Sequence, residues 1–156
     1  MAVIIREMRA EDLDSVTEIE QQVTFDTPWS RRIFEDCLNV GYSCWILEED
    51  EEPEVLGFGL LSSAIEEAHI LNLCIKVGHQ KKGLGNRMLS HLVSLAKDKT
   101  VKQVYLEVSV DNQKAIKLYQ KWGFECIGVR HGYYNAKDGR KDAWVMALIL
   151  DEASSR

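Results

Sequence analysis

Near the middle of the chain, Gln80-Lys81-Lys82-Gly83-Leu84-Gly85-Asn86-Arg87-Met88 has the residue types and spacing to hold a phosphate. Ahead of it, the apolar run Ile70-Leu71-Asn72-Leu73-Cys74-Ile75 reads as a strand. Behind it, Leu84, Met88, Leu92 and Leu95 recur on one helical face. A helix that starts in such a loop leaves backbone N–H groups unpaired and carries about half a positive charge at that end. Gly83 and Gly85 let a ligand approach the backbone closely, and Lys81, Lys82 and Arg87 add charge. Together these make a phosphate cradle. The spacing is Gln-x-x-Gly-x-Gly, which is neither a P-loop nor Gly-x-Gly-x-x-Gly. On its own it also fits a glycine-tightened turn that binds nothing.

The elements that must position this loop can be read in order. Ala2–Arg6 is a short apolar strand. From Asp12 to Val23, Leu13, Val16, Ile19 and Val23 give an amphipathic helix. Ser30 is suited to cap a second short helix that carries Ile33, Phe34, Cys37 and Leu38 and ends near Gly41. Tyr42–Leu47 and Val55–Leu61 are strands joined by an acidic turn with Pro53, which predicts a hairpin. Glu67–Lys76 is a fourth strand, followed by the loop and a helix to about Lys97. Val101–Val108 is the next strand. Asp111 is expected to cap a helix that runs to Trp122 and stops at Gly123. Phe124–Arg130 and Ala143–Leu150 close the chain as two strands, with His131–Asp142 as a polar loop between them. The pattern is α/β or α+β, with one mixed sheet between helices and a single domain over residues 1–150. Residues 151–156 form a short polar tail.

At 156 residues, roughly 68–70% of the unfolded surface can be buried, enough for a real core. No apolar run is long enough for a membrane span and no charged-then-apolar leader is seen, which predicts a cytoplasmic protein without a membrane partner. The net charge of −6 speaks against direct nucleic-acid binding, which favours a basic footprint. Cys37, Cys44, Cys74 and Cys126 stand among apolar neighbours without a Cys-x-x-Cys pair and read as reduced core thiols. His69, His79, His91 and His131 lack ligand spacing, so no metal is expected. The acidic run Glu48-Glu49-Asp50-Glu51-Glu52 is either a solvated turn or a surface that attracts a basic substrate.

The glycine loop resembles the acetyl-CoA pyrophosphate loop of the GNAT (GCN5-related) N-acetyltransferases. Further stretches are similar to that family in matching places: Leu106-Glu107-Val108, Asp111-Asn112, and Ala115-Ile116-x-Leu118-Tyr119-x-x-x-Gly123-Phe124. Pro28-Trp29-Ser30, Glu67-Ala68, Asn72, Tyr133-Tyr134 and Asp138-Gly139-Arg140-x-Asp142-Ala143 resemble the branch that acetylates the N-terminal alanine of a small-subunit ribosomal protein. The resemblance covers nearly the whole chain and implies the GNAT fold, with helices on both faces of the sheet. One departure is that the family's usual Asp-Pro after the fourth strand is here Lys76-Val77, a change that does not touch the loop amides.

The resemblance implies roles for particular residues. The pantetheine arm of acetyl-CoA would add like a short strand against Leu73, Cys74 and Ile75, and one backbone N–H there could polarise the acetyl carbonyl. The pyrophosphate would rest on the amides of Lys81, Lys82, Gly83, Leu84, Gly85 and Asn86. Asn112 would contact the pantetheine arm. Glu107, at the end of an apolar strand, is the candidate base for the amine, directly or through water. Tyr119 is the candidate acid for the leaving thiolate, and shares a helical face with Ala115 and Ile116. A phenol of pKa about 10 donates to a thiolate whose acid has pKa about 8.5 only with help from position. Trp29, Glu67, Tyr133 and Tyr134 are candidates for the acceptor groove, with Arg140 and Asp142 fixing the loop.

The nucleophile can be weighed by arithmetic. An α-amine has pKa about 7.8 and a lysine about 10.4, so deprotonating lysine at neutral pH costs roughly 3.5 kcal/mol more. That favours the N-terminus of a basic protein. Other N-termini, a lysine or a small amine remain as acceptors, and a non-catalytic acetyl-CoA-binding module remains as another class. The pairing of Glu107 with Tyr119 speaks for turnover.

Overall fold

A computed structural model describes residues 2–24, 27–136 and 139–150, the side chains of residues 133–136 and 139–141 excepted. The elements in order are β1 (Val3–Glu7), a 3-10 turn (Ala10–Asp12), α1 (Leu13–Val23), α2 (Arg31–Asn39), β2 (Ser43–Glu49), β3 (Val55–Ser63), β4 (Glu67–Ile75), α3 (Leu84–Asp98), β5 (Gln103–Ser109), α4 (Gln113–Lys121), β6 (Glu125–Ala136) and β7 (Gly139–Ile149). The strands are hydrogen-bonded in the order β1-β2-β3-β4-β5-β7-β6. β4 and β5 are parallel, while β1–β2, β2–β3, β5–β7 and β6–β7 are antiparallel, so the sheet is mixed. The order of elements agrees with the sequence reading. No described helix is long and apolar enough to cross a membrane.

Two compact units divide the described residues. One is built from residues up to Ser62 together with Leu71–Leu92, and the other from Ser63–Ile70 and the residues from Val93 on. β4 thus contributes to both.

In the first unit, alternation along β2 and β3 sorts side chains onto two faces. Cys44, Ile46, Phe58 and Leu60 join Leu13, Val16, Ile19, Phe34 and Cys37 in one buried cluster beneath α1 and α2. Phe34 sets its ring edge-on to Phe58 at 5.2 Å, and Trp29 covers Phe34 at 5.2 Å. The opposite face meets α3. Trp45 packs edge-on to His91 at 4.3 Å, and a Cβ at Gly59 would lie 2.7 Å from Met88 Cγ. Any side chain at Gly59 would force the Met88 side chain to shift. Ser30 caps α2, its hydroxyl accepting from the Ile33 N–H.

In the second unit, Val104, Leu106 and Val108 are the buried half of β5. Tyr119 and Phe124 pack edge-to-face at 5.7 Å where α4 ends.

Three expectations change. Asn112, not Asp111, caps α4, its side-chain oxygen accepting from the Ala115 N–H at 3.3 Å. Both residue types can cap, and the backbone places Asn112 at the junction. The polar loop expected between the last strands belongs largely to them, because β6 runs on to Ala136 and β7 starts at Gly139. Tyr134↔Lys141, Asn135↔Arg140 and Ala136↔Gly139 are paired. Cys126 is exposed, whereas Cys37, Cys44 and Cys74 are buried; all four are free thiols. Burial, with the Cys37 thiol nearby, pushes the Cys44 thiol up to about 12. Residues 151–156 lie outside the described residues.

Candidate active site

The glycine loop is fastened at its start by a side chain. Gln80 Nε2 donates to the Ile75 carbonyl, the last of β4, at 3.0 Å. Two residues then take left-handed backbone, Lys81 (φ 66°) and Gly83 (φ 79°). A Cβ at Gly83 would meet nothing within 4 Å, so glycine is needed there for conformation rather than space. The Arg87 N–H donates to the Gly83 carbonyl at 3.1 Å and opens the helical ladder. The amides just ahead of it have no acceptor within the helix. Leu84 and Met88 are buried and anchor the turn, while Lys81, Lys82, Asn86 and Arg87 are exposed. A buried anchor under an exposed turn of amides and cations fits a pyrophosphate.

The paired ladder between β4 and β5 runs from Glu67↔Gln103 to Ile70↔Leu106. β4 continues past it through Leu71 to Ile75. That stretch holds Leu73, Cys74 and Ile75, the segment expected to take the pantetheine arm.

A buried carboxylate stands on the same unit. Glu20, on α1, is 2% exposed. Its Oε2 accepts from the Trp29 N–H at 2.8 Å. Its Oε1 accepts from Thr24 Oγ1 at 3.1 Å, Asn72 Nδ2 at 3.2 Å and the Cys74 thiol at 3.4 Å. The Cys74 thiol also reaches Asn72 Oδ1 at 3.4 Å. Burial, with the Glu20 charge beside it, raises that thiol well above its ordinary pKa, so it stays protonated and donates.

The candidate base lies in the second unit. Glu107, on β5 opposite Val145 of β7, is 26% exposed at its side chain and ion-paired with Arg130 at 3.0 Å. Glu107 thus stands in an ion pair that its place at the end of an apolar strand does not reveal. Tyr119 on α4 is 7% exposed. Asn112 precedes α4; capping uses its oxygen and leaves its amide hydrogens for a ligand.

Glu67, the candidate acceptor residue at the start of β4, is half-exposed and lies 3.2 Å from His69 Nε2. His69 stacks on Tyr105 at 5.4 Å, and the Tyr105 hydroxyl donates to Gln103 at 2.7 Å. Trp29 packs against the α1–α2 core rather than standing open. The side chains of Tyr133, Tyr134 and Arg140 lie outside the described residues. Asp142 accepts from the Gly132 N–H at 2.8 Å, which holds its carboxyl below the usual range and ties β6 to β7. The acidic run splits: Glu48 is an ion-pair partner of Arg6 at 2.8 Å, and only the residues beyond Glu49 form the turn. Among the described residues no three His, Cys, Asp or Glu side chains gather as a metal site.

The acetyltransferase (GNAT) family description matches residues 6–124. The chain belongs to that family. As a member it is an acyl-transferring enzyme, and its sheet and helices are the GNAT fold. It is similar, at 31% identity over 146 residues, to the [ribosomal protein bS18]-alanine N-acetyltransferase of Escherichia coli, covering 94% of this chain and 97% of that one. It is 33% identical over 148 residues to the protein of the same name from Haemophilus influenzae, covering 94% and 99%. Among solved structures it is similar to the ribosomal-protein-S18-alanine N-acetyltransferase from Escherichia coli, with a TM-score of 0.87, 30% identity, and 96% and 94% of the two chains covered.

Sequence reasoning missed three residues beside these groups. Glu20 follows Val16 by four and precedes Val23 by three, so it sits on the apolar stripe of α1, and a carboxylate there is a legible signal. Gln80 was part of the motif without a role. Arg130 had no local signal, since its partner is 23 residues away.

Proposed function

We propose that this enzyme transfers the acetyl group of acetyl-CoA to the N-terminal α-amine of an alanine-starting ribosomal protein of the small subunit, in the cytoplasm where that protein is made. The observation that carries this is the near-full-length likeness to two alanine N-acetyltransferases at 31% and 33% identity. The loop geometry supports it. When bound, acetyl-CoA supplies an acetyl group already activated as a thioester. Lys81 to Asn86 would hold its pyrophosphate on exposed amides, and the part of β4 beyond the β5 ladder would hold its arm. A backbone N–H of Leu73–Ile75 would donate to the acetyl oxygen as charge develops there.

Glu107 would accept the proton of the attacking amine, directly or through one water. Tyr119 would give its hydroxyl proton to the departing sulfur. The acceptor is a protein N-terminus rather than a lysine because a single carboxylate can deprotonate an α-amine near neutral pH. Glu67 and Trp29, with Tyr133 and Tyr134, would line the acceptor side.

The test is acetyl transfer to a short peptide beginning Ala-Arg, beside the same peptide with a blocked N-terminus and an added lysine. Transfer to the free N-terminus alone is expected. Transfer to the lysine peptide would keep the chemistry and overturn the acceptor.

A further inference from the structure

Glu20 stands on an apolar stripe where leucine, valine or isoleucine would pack without the desolvation a carboxylate suffers. Its four donors are all neutral: a backbone amide, a carboxamide, a hydroxyl and a thiol. What the carboxylate adds is direction. Its two oxygens accept from all four donors, and the Asn72 amide turns its Nδ2 toward Glu20. In a strand the side chains of residues 72 and 74 share one face and residue 73 faces the other. Glu20 therefore grips β4 on both sides of Leu73 with one oxygen, and holds the Trp29 N–H with the other. The Thr27–Ser30 segment and the acyl-binding stretch of β4 are joined through a single side chain.

We propose that Glu20 is a positioning residue for the acceptor: its carboxylate latches the Trp29 segment to β4 beside Leu73 and so sets one wall of the peptide site. The proposal rests on the acceptor reading given above. β4 is held independently by its pairing in the sheet. Loss of the latch thus frees the Trp29 segment and leaves the acetyl-CoA stretch in place.

The experiment uses the full chain as wild type, Glu20→Gln and Asn72→Ala, the second cutting the latch at its β4 end on a half-buried position. Hydrogen exchange is read across the Trp29 segment and β4. Peptide and acetyl-CoA are varied separately in steady-state assays, and acetyl-CoA binding is measured by calorimetry. The expected result is about ten-fold faster exchange in the Trp29 segment, with β4 unchanged. The peptide KM rises roughly ten-fold or more, with acetyl-CoA affinity within about two-fold of wild type. An active wild type beside folded variants with unchanged peptide KM and unchanged exchange overturns the latch alone. Parallel loss of both affinities with faster exchange throughout also overturns it, since Glu20 would then only support the core. A wild type that binds acetyl-CoA and leaves the peptide unmodified overturns the acceptor reading and, with it, this role for Glu20.

Discussion

Arg130 Nε lies 3.0 Å from Glu107 Oε1, and the two residues sit on strands that are not neighbours. β7 runs between them, with Ala143 opposite Arg130 and Val145 opposite Glu107. Two strand spacings are about 10 Å, so the long arginine arm crosses over β7 to reach the carboxylate. Removing the two residues should have unequal effects. Glu107→Gln should lower kcat by roughly 10²–10⁴, the range for a lost general base. Arg130→Gln removes only its neighbour and should change kcat/KM by less than about ten-fold, with stability within about 1 kcal/mol because the pair is partly exposed. Tyr119→Phe should lose kcat while calorimetric acetyl-CoA affinity holds. Full turnover in both Glu107→Gln and Tyr119→Phe would falsify these roles.

The cradle makes a separate demand. Gly85→Glu puts a carboxylate into the turn where a pyrophosphate is to sit, and acetyl-CoA affinity should fall by roughly ten-fold or more from like-charge repulsion. Gly83→Ala acts differently. At φ 79° a Cβ is strained by about 1–2 kcal/mol although space is open around it. It should lower Tm more than Gly85→Glu lowers it. Calorimetry and thermal melts on the same two variants separate these effects, and equal affinity in Gly85→Glu would remove the cradle.

Acid should attack the first strand. Arg6 donates to Asp12 through both terminal nitrogens at 2.8 Å and to Glu48 at 2.8 Å. Burial pushes the Asp12 carboxyl up, but the Arg6 hydrogen bonds, the Arg9 N–H bond and the charges of Arg6 and Arg9 together outweigh it, so the group ends below its ordinary value. The Arg6 hydrogen bond holds Glu48 low as well. Both folded values are depressed, so their contribution is present above the ordinary carboxylate pKa and disappears as pH falls through the folded values. Asp12→Asn should cost about 3 kcal/mol at pH 7, as when one partner of a buried pair is removed. The difference from wild type should shrink in urea melts taken progressively below about pH 4. A constant difference across that range would place the cost in packing or in the lost Arg9 N–H bond instead.

Thiol chemistry should single out one cysteine. Cys126 is exposed, while Cys37, Cys44 and Cys74 are buried and burial raises each of them. A thiolate reagent at pH 8 should label Cys126 rapidly and the other three only on unfolding. Peptide mapping after a short pulse reads this directly, and early label on Cys44 would mean that the α2–β2 region opens.

The fold was legible where one residue's type decides a local event. Ser30 capped its helix as expected, the glycine loop fell between β4 and α3, apolar spacing located α1, α2 and α3, and the stop at Gly123 located the end of α4. It was illegible where backbone alone does the work. Asn135↔Arg140 and Ala136↔Gly139 pair through main-chain groups, and the residue types there do not alternate apolar with polar as the sequence of a half-buried strand does. Asp111 and Asn112 are both capping types, and only the turn made by Ser109 chooses between them, the Asn112 N–H donating to its carbonyl at 2.9 Å. In the candidate site, the loop could be read because its glycines and lysines are contiguous. The partners of Glu20 and Glu107 lie up to 54 and 23 residues away, and a linear pattern carries no trace of them.

The bond from Gln80 to the Ile75 carbonyl turns the loop into a buckle of set length. Strand end and loop start are clasped across four intervening residues, so the chain measures out Lys76–His79 before the left-handed residues Lys81 and Gly83. An insertion in that span would leave every glycine in the motif and still misplace them all. Anyone grafting this loop into another member of the family must carry it whole, from Ile75 to Arg87, because the glycines have meaning only as distances from the clasp.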